Sequence, residues 1–176
     1  MGSKRLILGL ALCVALVTGC AAEDAIVASE GEAGRVARIA DGDTLRLTDG
    51  RRIRLVQIDA PEPRSECFGN QAARSLVELA PPGSEIELER DPALDDRDRF
   101  GRLLRYVNSG GRNVNLALVE RGAAAPYFFR GERRRYADEL LEAVKAARAD
   151  RRGLWGSCPG ARLDPRRALA AGQPRR

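Results

Sequence analysis

Residues 35–63 read RVARIADGDTLRLTDGRRIRLVQIDAPEP, and this stretch decides the fold. Apolar and polar residues alternate in three short runs, over 35–40, 44–48 and 52–58, which is typical of β-strands with one buried face. Asp-Gly pairs separate the runs and favour tight hairpin turns. The stretch therefore predicts a three-stranded antiparallel meander, which ends where two prolines follow residue 59.

The residues after the meander predict three helices and two further strands. Apolar residues with a helical period predict a helix over 68–80, and alternation predicts strands over 85–89 and 103–107. A short helix over 114–118 and a longer amphipathic helix over 136–147 complete the domain. The order βββαββαα predicts an α+β fold and favours a closed five-stranded β-barrel of the OB-fold type with about three helices, although other small mixed domains are alternatives on pattern alone.

The composition restricts the chemistry, because the 176 residues include no histidine. A histidine base, a Ser-His or Cys-His nucleophile pair and a histidine metal site are all excluded. Of the formal charge of +5, residues 1–19 carry +2 and residues 159–176 carry +4, which leaves −1 for residues 20–158. Catalysis must therefore use carboxylates, arginines, hydroxyls, thiols or a hard metal ion, and the body has no overall basic surface for nucleic acid.

The first 20 residues have the pattern of an export signal. A basic start precedes about a dozen apolar residues, too few for a membrane span of about 20 residues. The run ends in the sequence LVTGC, which resembles a bacterial lipobox. It predicts a lipoprotein signal peptide over 1–19, a lipidated Cys20 and a tether over 20–34. The alternative is an ordinary signal peptide that is cut after Ala21 or Ala22.

That leader places the protein outside the cytoplasm, anchored to a bacterial membrane through Cys20, either in the periplasm or on the cell surface. Cys67 and Cys158 are then an even pair in an oxidising compartment, and we predict that they form a disulfide. Two separate buried thiols are the alternative. The folded domain is predicted over 35–158 as a monomer. The last segment, 159–176, has three prolines and no periodicity, which predicts a basic disordered tail.

Two acidic clusters end strands of the meander. Asp41 and Asp43 follow the first strand, and Asp59 and Glu62 follow the third. In a curled sheet these strand ends can lie close together. Four carboxylates without histidine then make an oxygen-rich site suited to a hard cation such as Ca²⁺. Taken alone, either cluster could be an ordinary turn or the start of a loop.

Two arginines lie where they could complete such a site. Arg54 stands between Ile53 and Leu55 on an alternating strand, so it points away from both, and it precedes Asp59 by five residues. Arg102 lies at the start of the fifth strand. Guanidinium groups hold phosphate through paired N–H donors. A solvated strand face is the alternative for both residues.

Together these motifs resemble the staphylococcal nuclease (thermonuclease) family, over about residues 33–157. The resemblance rests on DGDT at 41–44, RIRLVQIDAPE at 52–62, DRFGRLL at 98–104, VNLALV at 114–119 and GLW at 153–155. It implies a Ca²⁺-dependent secreted nuclease on an OB-fold, which hydrolyses DNA or RNA and leaves 3′-phosphate ends.

The resemblance also implies roles for particular residues. By position, Asp43, Asp59 and the main-chain carbonyl of Ala60 would bind Ca²⁺, and Asp41 would reach the ion through water. The family often has threonine where Ala60 stands, which should matter little if only the carbonyl binds. Glu62 takes the position of the general base.

The remaining implied roles concern the substrate. Arg54 and Arg102 match two arginines that clamp the phosphate during catalysis. Arg99 stands where the family usually has a lysine that contacts phosphate. The aromatic residue of the substrate pocket falls at Tyr127 or Phe128.

Two other functions are alternatives to a nuclease. An OB barrel can bind single-stranded nucleic acid without cleaving it, but the four retained carboxylates disfavour this reading. A structural lipoprotein could use Ca²⁺ only to stabilise its barrel, but that function gives Arg54 and Arg102 no role.

Overall fold

The computed structural model describes residues 31–173, and the predicted leader over 1–19 and Cys20 lie outside these residues. The strands are β1 (Glu32–Ile39), β2 (Thr44–Leu47), β3 (Arg52–Leu55), β4 (Ile58–Asp59), β5 (Glu85–Glu89), β6 (Leu103–Ser109), β7 (Arg112–Asn113) and β8 (Ala125–Pro126). The helices are α1 (Gly69–Leu79), α2 (Val114–Glu120), α3 (Ala137–Ala149) and the short α4 (Leu154–Ser157).

Five strands close into a barrel. Antiparallel pairs join them in the order β3, β2, β1, β5, β6, and a parallel pairing of β3 with β6 closes the ring, with Ile53 opposite Leu103. Such closure leaves no free edge between the first and last strands. The α+β five-stranded barrel with three main helices is therefore confirmed.

The apolar faces of the strands fill the barrel, and α1, α2 and α3 pack against the same core. On β3, Ile53 and Leu55 are fully buried whereas Arg54 projects to the other side, as alternation predicts. Other core side chains with no exposed surface are Leu45, Ile58, Leu76, Leu118 and Leu140.

The third strand ends earlier than the sequence predicts. Its alternation suggested a strand over 52–58, but β3 stops at Leu55, because Gln57 adopts a left-handed backbone conformation with φ of 61°. The chain turns there, and the next two residues leave the barrel to pair with β8 as β4. This turn places Asp59 opposite Ala125 of β8, and Gln57 beside the loop that follows β8.

The two ends of the domain differ from the predicted boundaries. β1 begins at Glu32, inside the predicted tether, because residues 32–35 pair with β5. Residues 159–173, predicted as part of a disordered tail, pack against the domain, and we call them the C-terminal strap. Leu169 and Ala171 of this strap are buried. The strap has no periodic pattern of apolar residues, so the burial of these two side chains could not be predicted from the sequence.

A disulfide joins Cys67 to Cys158, 91 residues apart, as the cysteine count predicted. It links the segment before α1 to the residue that precedes the C-terminal strap. The two cysteines are buried in a small apolar cluster with Leu154, Leu169 and Ala171. Within residues 31–173, no helix combines the length and the apolar character that crossing a membrane requires.

Candidate active site

The two acidic clusters meet, although 17 residues separate Asp43 from Ala60. The main-chain N–H of Ala60 donates a hydrogen bond to Oδ2 of Asp43 at 2.9 Å. Gly42 permits this contact, because a Cβ there would lie 2.6 Å from the Cβ of Ala60 and 2.8 Å from that of Ala72 in α1. The turn after β1 is thus pressed against the turn after β4, as the curled sheet predicted.

Arg54 lies between the carboxylates of both clusters. Its Nε is 3.1 Å from Oδ1 of Asp43, and its Nη2 donates to Oδ1 of Asp59 at 2.8 Å. Nη1 donates to the main-chain oxygens of Leu55 and Ile58, the latter at 2.8 Å. With 13% of its side chain exposed, Arg54 is held within the site and is not a solvated residue on a strand face.

Main-chain amides bind the second oxygen, Oδ2, of each of the same two carboxylates. Oδ2 of Asp43 accepts from Ala60, as described, and Oδ2 of Asp59 accepts from the N–H of Leu169 at 2.9 Å. In both side chains, therefore, Oδ1 faces Arg54 while Oδ2 is fixed by the backbone. Hydrogen bonds to a carboxylate are stronger than those between neutral groups, so these contacts set the orientation of both acids.

Arg102 joins the site through Thr44. Its Nη1 donates to Oγ1 of Thr44 at 3.2 Å, and the same hydroxyl donates to Oδ1 of Asp43 at 3.1 Å. Nε of Arg102 donates to Oδ2 of Asp98 at 2.6 Å, which orients the guanidinium. The predicted arginine pair therefore belongs to one connected network.

The carboxylates are crowded and partly desolvated. Burial raises the pKa of Asp43 to about 7, with Asp41 and Asp59 adding repulsion and Arg54 opposing it. Partial burial raises the pKa of Glu62 too, with repulsion from Asp41 and other nearby acids. Asp41 accepts a hydrogen bond from the N–H of Asp43 at 3.0 Å. The site therefore has more negative charge than Arg54 alone offsets.

The donor set fits a hard cation. Among the described residues, no three acidic or thiol side chains form a cluster that encloses a metal ion, and Arg54 occupies the space between Asp43 and Asp59. The available donors are nevertheless carboxylate and carbonyl oxygens, the ligands that Ca²⁺ and Mg²⁺ prefer. Burial and the nearby Asp41 and Asp59 raise the pKa of Asp43, so a cation there would offset charge that solvent does not.

A cleft of about 930 Å³ opens beside the two arginines. Its lining includes Arg54, Arg102, Arg99 and Tyr127, so the predicted phosphate and substrate residues face one space. Phe128, the second candidate for the aromatic position, is in the core with 3% of its surface exposed, and that prediction is wrong. Neighbouring residues of extended backbone point to opposite sides, so only one of the two can face the cleft.

Tyr127 has an aromatic partner that was not predicted from the sequence. Phe129 lies two residues later, lines the same cleft and is 58% exposed. Phe100, on the turn before β6, is 56% exposed on the same cleft. The guanidinium of Arg99 lies 4.7 Å from the centre of the Phe100 ring, and that of Arg130 lies 5.2 Å from the Phe129 ring. Alternation along 127–129 was the signal that could have found this pair.

Gln57 attaches this aromatic loop to the barrel. Its main-chain oxygen accepts from the N–H of Tyr127 at 3.0 Å. Its side-chain Nε2 donates to the main-chain oxygen of Glu132 at 2.7 Å, and its Oε1 accepts from the N–H of Arg134 at 3.2 Å. The side chain is buried and spans the base of the loop. Its position in the strand motif gave no sign of this role.

Comparison with known proteins agrees with this geometry. The family model described as staphylococcal nuclease homologue matches residues 52–157. An uncharacterized endonuclease of Escherichia coli O157:H7 is 37% identical over 127 residues, covering 69% of this chain and 76% of the relative. Thermonuclease of Staphylococcus hyicus is 28% identical over 131 residues, covering 70% of this chain and 75% of the relative. Endonuclease YhcR of Bacillus subtilis is 34% identical over 144 residues, 72% of this chain, but the chain spans only 12% of that protein.

The family match covers more than half of the chain, including β3, β6 and the loop after β8. It includes Arg54, Asp59, Glu62 and Arg102, and the structure brings Asp43 from outside the match into contact with Arg54, which also binds Asp59. On this evidence the chain belongs to the staphylococcal nuclease family, and it is a thermonuclease-like nuclease.

Proposed function

We propose that this chain is a Ca²⁺-dependent endonuclease that hydrolyses DNA, RNA or both by in-line attack of water, leaving 3′-phosphate ends. The observation that carries the proposal is the contact of Arg54 with both Asp43 and Asp59 at the border of an arginine-lined cleft. Neither a pure binding protein nor a structural metal site would need this arrangement.

The acidic clusters supply the ligands for the ion. Asp43, Asp59 and the carbonyl of Ala60 would hold Ca²⁺, with Asp41 contributing through water. When bound, the ion supplies Lewis-acid polarisation of a phosphoryl oxygen. The backbone amides on Asp43 and Asp59 keep both carboxylates oriented towards the cleft side, where Arg54 lies.

Glu62 is the proton acceptor for the attacking water. Its position at the exposed edge of the acidic site leaves it open to solvent. The raised pKa, caused by partial burial and then by nearby carboxylates, brings its basicity closer to neutral pH, where a general base is most effective. Glu62 removes a proton as the water oxygen bonds to phosphorus.

Arg54 and Arg102 stabilise the charge that develops on the phosphate. Both arginines line the cleft, where Asp59 accepts a hydrogen bond from Arg54 and Asp98 accepts one from Arg102. Their N–H donors are positioned before the reaction begins, so stabilisation of the transition state needs little rearrangement. The bond from phosphorus to the 5′ oxygen breaks, that oxygen takes up a proton, and the phosphate stays on the 3′ side.

The decisive test is digestion of circular plasmid by the purified full-length chain. We expect cleavage with Ca²⁺, no cleavage after a chelator is added, and recovery when Ca²⁺ is restored. Glu62→Gln should lower kcat by about 10²–10⁴-fold, whereas Glu78→Gln, on the exposed side of α1, should not. Fragments with 5′-hydroxyl ends should accept phosphate from polynucleotide kinase without prior phosphatase treatment. Plasmid that stays intact at every Ca²⁺ concentration would overturn the proposal.

We also propose that the enzyme is a membrane-anchored lipoprotein outside the cytoplasm. The support is the lipobox-like sequence that ends at Cys20. Cys20→Ala should move the protein from the membrane fraction to the soluble fraction or leave it unprocessed, because the acyl chains are lost. A Cys20→Ala variant that is processed like the wild type and stays equally associated with the membrane would contradict the anchor.

A further inference from the structure

We propose that the C-terminal strap completes the metal site, with the main-chain N–H of Leu169 acting as a positioning group for Asp59. The inference rests on the proposed role of Asp59 as a metal ligand. It extends the site to residues 159–173, which lie beyond the end of the family match at residue 157.

The two ligand carboxylates have matching surroundings. Each directs Oδ1 at Arg54, and each has Oδ2 bonded to a main-chain N–H at 2.9 Å. For Asp43 that amide belongs to Ala60, inside the matched domain. For Asp59 it belongs to Leu169, 110 residues away. The barrel therefore fixes one carboxylate by itself, whereas the other depends on the strap.

The strap is attached firmly enough to hold that amide in place. Its start follows Cys158, which is bonded to Cys67, and the N–H of Cys67 donates to the oxygen of Gly172 at 2.9 Å. Both ends of the strap are thus fixed to the same residue. Between them, the N–H of Phe128 donates to the oxygen of Pro165.

The side chain of Leu169 has a separate task from its amide. It is 8% exposed and packs in the small cluster that contains the disulfide and Ala171. Burial of the side chain fixes the backbone, and the backbone presents the N–H to Asp59. Replacing the side chain and removing the N–H should therefore have different consequences.

Groups that orient a metal ligand contribute strongly to metal affinity. Loss of such an outer hydrogen bond typically weakens metal binding by about 10–100-fold. We expect a loss in that range when the Leu169 N–H is removed. The half-maximal Ca²⁺ concentration for cleavage should rise by the same factor, while kcat at saturating Ca²⁺ changes little.

The experiment compares two variants of the full-length chain, Leu169→Pro and Leu169→Ala. Proline removes the N–H, whereas alanine keeps it and removes most of the apolar side chain. Binding of Ca²⁺ alone is measured by calorimetry, and thermal unfolding is recorded without Ca²⁺. We expect Leu169→Pro to bind Ca²⁺ about 10–100-fold more weakly, and Leu169→Ala to bind within about threefold of wild type despite a lower melting temperature.

A replacement of the Leu169 amide by an ester, introduced as the α-hydroxy acid, serves if the proline variant does not fold. Wild-type Ca²⁺ affinity in the proline or ester variant would overturn the inference and leave the proposed function intact. Equal weakening by the alanine variant would also overturn it, because packing would then explain the effect. If the wild type binds no Ca²⁺, the proposed function itself fails.

Discussion

The acidic side of the site and the aromatic wall of the cleft are built in opposite ways. On the acidic side, Asp43 and Asp59 are held by main-chain amides and by a largely buried Arg54. On the wall, Phe100 and Phe129 are more than half exposed, and exposed arginines cover their rings. The acidic side is fixed by the barrel, and the wall is presented by loops.

Under the proposed function, this difference separates bond cleavage from substrate binding. Groups that must be placed accurately for bond cleavage are secured by backbone contacts, because small displacements of reacting groups are costly. Groups that contact bases need only offer a flat apolar face, which tolerates different sequences. Changes on the acidic side should therefore lower kcat, whereas changes in the wall should raise KM.

The largest effect is expected for Arg54→Ala. It removes a donor to the transition state and also leaves Asp43 and Asp59 without their shared cation, so kcat should fall by at least about 10²–10³-fold. Steady-state cleavage of a fluorogenic oligonucleotide measures it. Arg46→Ala, on an exposed position of β2, is the matched control and should retain activity. If the substitution raised KM and left kcat unchanged, Arg54 would act in substrate binding and not in bond cleavage.

The second-largest effect is expected for a change that adds only a methyl group. Gly69→Ala places a Cβ 2.1 Å from the main-chain oxygen of Glu62, so that segment must move. A misplacement of about 1 Å can cost up to about 10²-fold in rate, and we expect at least a tenfold fall in kcat. Helix propensity alone predicts stabilisation by up to about 1 kcal/mol, the opposite sign.

Thermal unfolding and kcat of Gly69→Ala, measured beside Asn70→Ala, distinguish the two expectations. Asn70 is the next residue of α1 and is exposed, so its replacement by alanine tests propensity without the contact. An active and stabilised Gly69→Ala variant would show that the Glu62 segment is more tolerant than the rest of the acidic side.

The wall should respond more weakly and mainly in KM. Phe100→Ala removes an exposed ring, and stacking of a base on an aromatic side chain contributes about 1–3 kcal/mol. We therefore expect KM for a single-stranded oligonucleotide to rise at least about fivefold, with kcat nearly unchanged. Val77→Ala, an exposed apolar position on α1, controls for loss of apolar surface. A fall in kcat with constant KM would place Phe100 with the reacting groups.

The smallest effect is expected for Gln57→Gly. Glycine adopts positive φ without strain, so the fold should persist, but the loop that carries Tyr127 and Phe129 loses two side-chain hydrogen bonds. Each such bond contributes about 0.5–1.5 kcal/mol, and we expect KM to rise a few fold. Gln57→Glu keeps the acceptor for Arg134 but turns a second acceptor towards the carbonyl oxygen of Glu132, so its KM should rise as well. An unchanged KM in both variants would show that the position of this loop does not affect substrate binding.

The acidic side and the wall also differ in how well they could be predicted from the sequence. The meander, the barrel and the convergence of Asp43, Arg54 and Asp59 follow from alternation and turn residues close together in the chain. Prediction of the wall required knowing which of two adjacent aromatic residues faces outward, and Phe128 was wrongly included. The strap was missed because its hydrogen bonds to Cys67 and Asp59 join residues more than 100 positions apart and leave no periodic pattern.

The parallel pairing of β3 with β6 has a consequence for vectorial synthesis. A chain that emerges N-terminus first has all four carboxylates outside the ribosome or the translocation channel well before Leu103 and Arg102 arrive to close the ring. A product that terminates before β6 thus carries the acidic motif without a closed barrel. We therefore expect products that end before β6 to be inactive, because the barrel that positions the acidic residues is not closed in them.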